Sequence, residues 1–231
     1  MKKIILYLVA VTAVFIPKGL MAQDCDFYFP DKEGTKVETT NYDKKGKETG
    51  TSAITILENK KTSEGQLVKV ASEFKGASSD SVYKQEYTVE CKNGEFYINM
   101  DSYLDQNSMQ AYKNMEVEVE TEQMILPSNL KAGQILNNGR VTAIVKNNGI
   151  KIFTLNTSIT DRKVDGFEQV TTPAGTFDCV KISYTIEIKV MLKVTMTGIQ
   201  WFAKNIGAVK TETYNKKGKL ESSSMITKIE N

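Results

Sequence analysis

The chain has 231 residues, with 30 Lys or Arg, 28 Asp or Glu and no His. Without histidine there is no Ser-His-Asp or Cys-His nucleophile, no imidazole metal site and no ordinary pH switch near neutrality, which leaves carboxylate, Tyr and Lys chemistry. The formal charge of +2 offers no basic surplus for a phosphate backbone, so nucleic acid is not an expected partner.

Residues 1–22 read as a secretory signal peptide. Lys2 and Lys3 form the positive start, Ile4 to Ile16 the apolar stretch, and Met21-Ala22 precedes a cut near Ala22. That stretch is too short to span a bilayer, and no second one follows, so no membrane span is expected. Leu20 is larger than the small residue preferred three positions before the cut. The mature chain, 23–231, is expected to be a single β-rich domain, exported to the periplasm or cell surface. Removing the signal takes away three lysines and no acid, leaving a net charge of −1. Ala22-Gln23-Asp24 before Cys25 does not suit a lipid-anchor signal, which places a small residue directly before the cysteine.

Cys25, Cys91 and Cys179 all lie in the exported part, where disulfides persist, but an odd count leaves one thiol over. Cys25–Cys91 is the favoured pair, tying down a terminal segment, with Cys179 a small buried apolar residue. Three free thiols is the alternative.

Short β-like runs follow in order, Gly65 to Phe74, Val82 to Val89, Val141 to Val145 and Ile150 to Leu155. Asn93-Gly94, Asn138-Gly139 and Asn148-Gly149 punctuate them as turns, because both residue types tolerate positive φ. Asp101 to Met115 is a weak helix candidate. Pro127 and Pro173 sit in loop-like settings. From Val180 to Met196 every even position is apolar and most odd ones are polar, the pattern of a strand buried on one face. The run exceeds an ordinary strand of about 5–6 residues. One long bent strand, or two joined by an odd-length loop, preserves its parity.

Gly34 to Lys47 and Gly207 to Lys219 echo each other, each reading as strand, tight turn and strand. Asp43 or Asn215 is expected to bond back to the turn backbone, and Gly46 or Gly218 to take the left-handed position. The lysines of the two turns form a basic patch if the hairpins adjoin, suited to lipid phosphates or acidic glycans. Otherwise they are solvated, edge-protecting turn residues. Glu116, Glu118, Glu120 and Glu122 share one face of a strand. They read as a solvated ladder facing lysines such as Lys189 and Lys193, and less readily as an oxygen-ligand cation site. Phe27-Tyr28-Phe29 and Trp201-Phe202 read as packing aromatics, with a sugar platform as the alternative.

Several segments carry a family resemblance. They are Phe27-Tyr-Phe-Pro30, the Tyr-Asp-Lys-Lys-Gly-Lys turn, Leu126-Pro-Ser-Asn-Leu130, Thr172-Pro-Ala-Gly-Thr-Phe-Asp-Cys-Val-Lys-Ile182 and Trp201-Phe-Ala-Lys-Asn-Ile-Gly-Ala-Val-Lys210. In this order they resemble the exported domain-of-unknown-function 3108-like proteins of Gram-negative envelopes, over nearly the whole mature chain. The resemblance implies a β-rich envelope protein with a curved sheet, distantly like the half-barrels of lipoprotein carriers, and supplies no catalytic residues.

The expected fold is mainly β, a single strongly curved antiparallel sheet or partly open barrel built from hairpins, with at most one short helix. The expected role is non-enzymatic, without cofactor or metal. Its expected partner is a lipid or other amphiphilic small molecule held on the concave face, with Tyr184, Ile186, Ile188, Val190 and Leu192 as lining. An interaction or structural module meeting another envelope protein is the alternative. A glycan-processing enzyme would need two carboxylates facing across one cleft.

Overall fold

The computed structural model describes residues 26–79, 81–98, 100–104, 112 and 115–231. The expected signal peptide, its cut and Cys25 lie outside the described residues, as does much of the weak helix candidate. Its first residues belong to a 3-10 turn, Met100–Tyr103.

Thirteen strands are present among the described residues. The first five are β1 (Lys36–Asp43), β2 (Glu48–Thr62), β3 (Gly65–Gly76), β4 (Val82–Lys92) and β5 (Glu95–Ile98). Next come β6 (Glu116–Glu122), β7 (Met124–Pro127), β8 (Gly139–Asn147) and β9 (Ile150–Thr172). The chain ends with β10 (Gly175–Lys189), β11 (Lys193–Ala203), β12 (Gly207–Asn215) and β13 (Leu220–Glu230). They form one antiparallel sheet in the order β6-β8-β9-β10-β11-β12-β13-β1-β2-β3-β4-β5-β7. The sheet curls into a barrel that is nearly closed, with one seam between the edge strands β6 and β7. Hairpin connections explain the antiparallel order, since a short turn can only return the chain alongside itself.

The long alternating run divides into β10 and β11 at a three-residue turn, Val190-Met191-Leu192. Ile188 pairs with Val194, Ile186 with Met196 and Tyr184 with Gly198, so an odd loop keeps even residues on one face. Asn93 and Gly94, and Asn148 and Gly149, hold positive φ in the β4–β5 and β8–β9 turns. Asn138-Gly139 departs from expectation. Gly139 opens β8 at ordinary φ, and its missing side chain is what lets Met124 pack there. A Cβ at that position would stand 2.3 Å from Met124 Cγ.

The main core fills the barrel with Val68, Val70, Val89, Val141, Ile159 and Ile182. A second, smaller core covers the opposite face of the same sheet. Val37, Cys179, Trp201, Val209 and Ile226 pack there beneath Val170, Ala174 and Phe177 of the projecting β9–β10 hairpin. Trp201 is therefore a packing residue, 5% exposed, and its Nε1 donates to Glu168 at 2.5 Å.

Strand β9 changes parity midway. Leu155, Thr157 and Ile159 are buried, then Arg162 and Val164. A bulge causes the switch. Ser183 pairs with Lys163 but Thr185 with Thr160, so two residues of β9 stand opposite one of β10, and Asp161 takes φ 54°. The bulge keeps β9 facing the core as the sheet bends, and it turns Arg162 inward.

Candidate functional site

The N-terminal segment, residues 26–35, crosses the end of the barrel carrying the β9–β10 and β11–β12 turns. Phe27 and Tyr28 are buried, and Phe27 meets Phe96 edge to face at 5.2 Å. Asn205 N donates to Phe27 O at 2.7 Å, and Lys204 Nζ pairs with Asp26 Oδ1 at 2.6 Å. Burial works to raise the Asp26 carboxyl, but Lys204 and the Asn129 N–H outweigh it and hold the group below its ordinary value.

Two spaces adjoin this segment. Outside is a cleft of about 790 Å³ between the projecting β9–β10 hairpin and the β11–β12 turn, its polar wall including Glu168, Gln169, Asp178 and Lys204. Phe167, 59% exposed, also lines it. Inside is a chamber of about 260 Å³ lined by aromatic and aliphatic groups, among them Phe29, Tyr87, Phe96, Tyr103 and Tyr184. Tyr28 and Phe202 line both spaces and so stand between them, their rings 6.4 Å apart and nearly perpendicular. Burial raises the Tyr28 hydroxyl to about 12, with help from the Asp26 charge, and burial pushes Tyr184 well up too. Both phenols are therefore neutral hydrogen-bonding groups at physiological pH. Tyr103 Oη donates to Gln200 Oε1 at 3.2 Å, which gives the chamber one internal polar pair.

Gly198 makes the chamber's shape. A Cβ on it would lie 2.4 Å from Tyr184 Cζ, so the ring occupies the volume that a side chain would fill across the β10–β11 pair.

The five sequence-predicted lining residues separate. Tyr184 lines the chamber. Ile186 and Ile188 pack against the main core further along β10. Val190 and Leu192 do not line the concave face. They stand in the turn beyond it, 46% and 83% exposed, because the hairpin reverses there and leaves the barrel wall. Sequence reasoning missed Tyr28, Phe202 and Gly198 as a group. Tyr28 and Phe202 read as general packing aromatics, and the pairing that unites the three is long-range.

The remaining candidates fall as follows. Cys91 is disulfide-bonded, Cys179 is a free buried thiol that burial raises to about 11, and Cys25 lies outside the described residues. The glutamate ladder of β6 faces β8, not Lys189 and Lys193. Lys146 pairs with Glu118 and Arg140 with Glu122, whereas Lys193 pairs with Glu187. The described residues hold no cluster of acids and cysteines able to grip a metal ion. No described helix is long and apolar enough to cross a membrane.

These features define a class, the nearly closed antiparallel barrel with an end plugged by its own N-terminal segment. Within it the chain belongs to the DUF3108-like family, whose pattern matches residues 32–226. Two solved structures share the fold. One is a candidate exported protein with a YmcC-like fold from Bacteroides fragilis, 26% identical, with a TM-score of 0.78 over 90% of this chain and 100% of that one. The other is a candidate lipoprotein from Parabacteroides distasonis, 28% identical, with the same TM-score and the same coverage. A comparison with curated proteins finds no match.

Proposed function

We propose that this protein is an exported, non-enzymatic envelope protein that binds an amphiphilic small molecule across the Tyr28–Phe202 partition. The polar part lies in the outer cleft among Glu168, Gln169, Asp178 and Lys204, and the apolar part enters the chamber beside Tyr184. One observation carries the reading: Tyr28 and Phe202 line both an open cleft with a polar wall and an aromatic chamber, so a molecule that displaces these two side chains reaches from one into the other. The chamber is slightly smaller than the usual ligand pocket of about 300–1,000 Å³, which suits one ring system or a short acyl end. The apolar lining provides affinity through burial, and the few polar groups orient the ligand. Export is supported by the signal-like first 22 residues and by the two structural neighbours, described as exported and as a lipoprotein.

The test uses N-phenyl-1-naphthylamine, whose fluorescence rises in apolar surroundings, titrated against the mature chain. Ala208 lines the chamber, and Ala208→Phe fills part of it. Saturable binding is expected in the parent, weakened about ten-fold or more in the variant, with thermal melting showing both folded. That factor corresponds to losing about 1.4 kcal/mol of apolar contact. Equal binding by two folded proteins, or none by either, overturns the reading.

A further inference from the structure

Five hairpin turns open at the end of the barrel opposite the plugged one. Along the sheet order they are β8–β9, β10–β11, β12–β13, β1–β2 and β3–β4. The β10–β11 turn is Val190-Met191-Leu192, with Met191 87% and Leu192 83% exposed. Tight turns normally use Gly, Asn, Asp or Pro, because those residues satisfy the backbone at the bend. Three apolar residues there serve no turning requirement, and leaving them in water carries a cost. The adjoining β8–β9 hairpin adds Ile150 and Ile152, and Val194 follows the turn itself. Six of the thirteen exposed large apolar side chains among the described residues thus lie on two neighbouring hairpins.

The next two hairpins along the sheet are cationic. Lys45, Lys216 and Lys217 are exposed at their tips and make no ion pair among the described residues. Two of the three acids beside them are occupied, and Glu48 makes no ion pair among the described residues. Asp43 accepts the Lys45 and Lys47 N–H groups, and Glu221 accepts from Asn215 Nδ2 and faces Lys44. Residues 43–48, 147–152, 187–194 and 215–221 together hold nine lysines and four acids, and residues 77–81 add one acid. This surplus sits at one end of a chain whose net charge from residue 23 onward is −1.

The geometry points to a docking surface for an anionic lipid bilayer. The apolar β8–β9 and β10–β11 tips enter the headgroup layer, and the lysines of the β12–β13 and β1–β2 tips meet lipid phosphates. An apolar tip bordered by long cationic side chains suits that interface, which is apolar below and negatively charged above. A soluble acidic partner would account for the lysines, but not for the exposed Met191 and Leu192. The cleft and chamber face the other end of the barrel, so this inference stands independently of the amphiphile reading.

Co-sedimentation of the mature chain with vesicles of pure phosphatidylcholine, and of phosphatidylcholine with phosphatidylglycerol, tests it. Binding is expected to the anionic vesicles only. Leu192→Asp should weaken it about ten-fold or more, the loss expected for keeping one leucine out of the apolar layer. Lys216→Glu and Lys217→Glu should each weaken it about five-fold or more, since one cation near such a surface contributes about 1 kcal/mol. These sites are exposed, so the variants keep the fold, and thermal melting checks this. Lys60→Glu with Lys61→Glu, at the opposite end, should leave binding unchanged. Failure to sediment with anionic vesicles, an unaffected Leu192→Asp, or an equal loss in the opposite-end variant overturns the proposal.

Discussion

At the scale of single residues, the chamber depends on what is absent at position 198. Tyr184 is one of the largest side chains facing the barrel interior, and it fits because the residue paired with it has no Cβ. Gly198→Val should force the ring out of its place and strain the β10–β11 pair. Overpacking of this kind costs about 1–3 kcal/mol. Urea denaturation is the measurement, and Gly198→Val should also lower naphthylamine binding because the displaced ring enters the chamber. An unchanged midpoint would show that the ring has another place to go. None of this is visible along the sequence, where Gly198 lies just past the even-numbered stripe that ends at Met196 and only the pairing reveals which residue it serves.

At the scale of elements, the two echoed turns were legible in full. Asp43 Oδ1 accepts from Lys45 N at 2.8 Å and Lys47 N at 2.9 Å, and Asn215 Oδ1 accepts from Lys217 N at 2.9 Å and Lys219 N at 3.2 Å. Gly46 and Gly218 hold φ of 74° and 69°, as the three-residue turn demands. Nothing lies within 4 Å of a Cβ added at either glycine, so substitution there meets backbone strain alone. Gly46→Ala and Gly218→Ala should each cost about 1 kcal/mol, measured by thermal or urea unfolding. Their effects should add, because each turn closes on its own backbone. A larger loss in the double variant would mean that the Lys44–Glu221 contact couples the tips. Such turns are readable because their chemistry is local. The β10–β11 turn carries no such chemistry, and its position emerged only from register.

At the scale of the whole molecule, closure near the seam depends on one buried cation. Arg162, 2% exposed, donates through Nη1 to Asn137 O at 2.7 Å, to Ile125 O at 3.2 Å and to Asn137 Oδ1 at 3.2 Å. Asn137 in turn accepts from Ile125 N and donates to Gln123 O, standing in for the strand that β7 lacks. Beside it, Gly133 N donates to Val164 O and Leu136 N to Arg162 O, which ties the connecting segment along β9. Burial lowers the Arg162 guanidinium to about 10, and it stays charged at neutral pH. Arg162→Leu should cost about 2 kcal/mol, because partly buried carbonyls on β7 and the connecting segment lose their donor. Urea unfolding would measure it. Arg162→Lys should recover only part of the loss, since its ammonium also offers several donors but on a side chain of different length and shape. Full recovery by lysine would show that the charge, and not its geometry, closes the seam.

The sequence by itself determined the antiparallel β class, the inward parity of the β10–β11 run and the two Asp/Asn–Gly turns. Those features depend on residues within a few positions of one another. It also located Tyr184 on the buried face. Only the tertiary structure decided that Val190 and Leu192 leave the barrel at a turn, that the β6 glutamates face β8, and that Tyr28 meets Phe202 between cleft and chamber. It likewise decided which hairpins stand side by side and that a bulge at Asp161 aims Arg162 across the seam. The turn at Val190–Leu192 depends on the register of the β10–β11 hairpin, and the rest on pairing or contact between segments distant in the chain. Alternation records which face a residue takes, but not which distant strand lies opposite it.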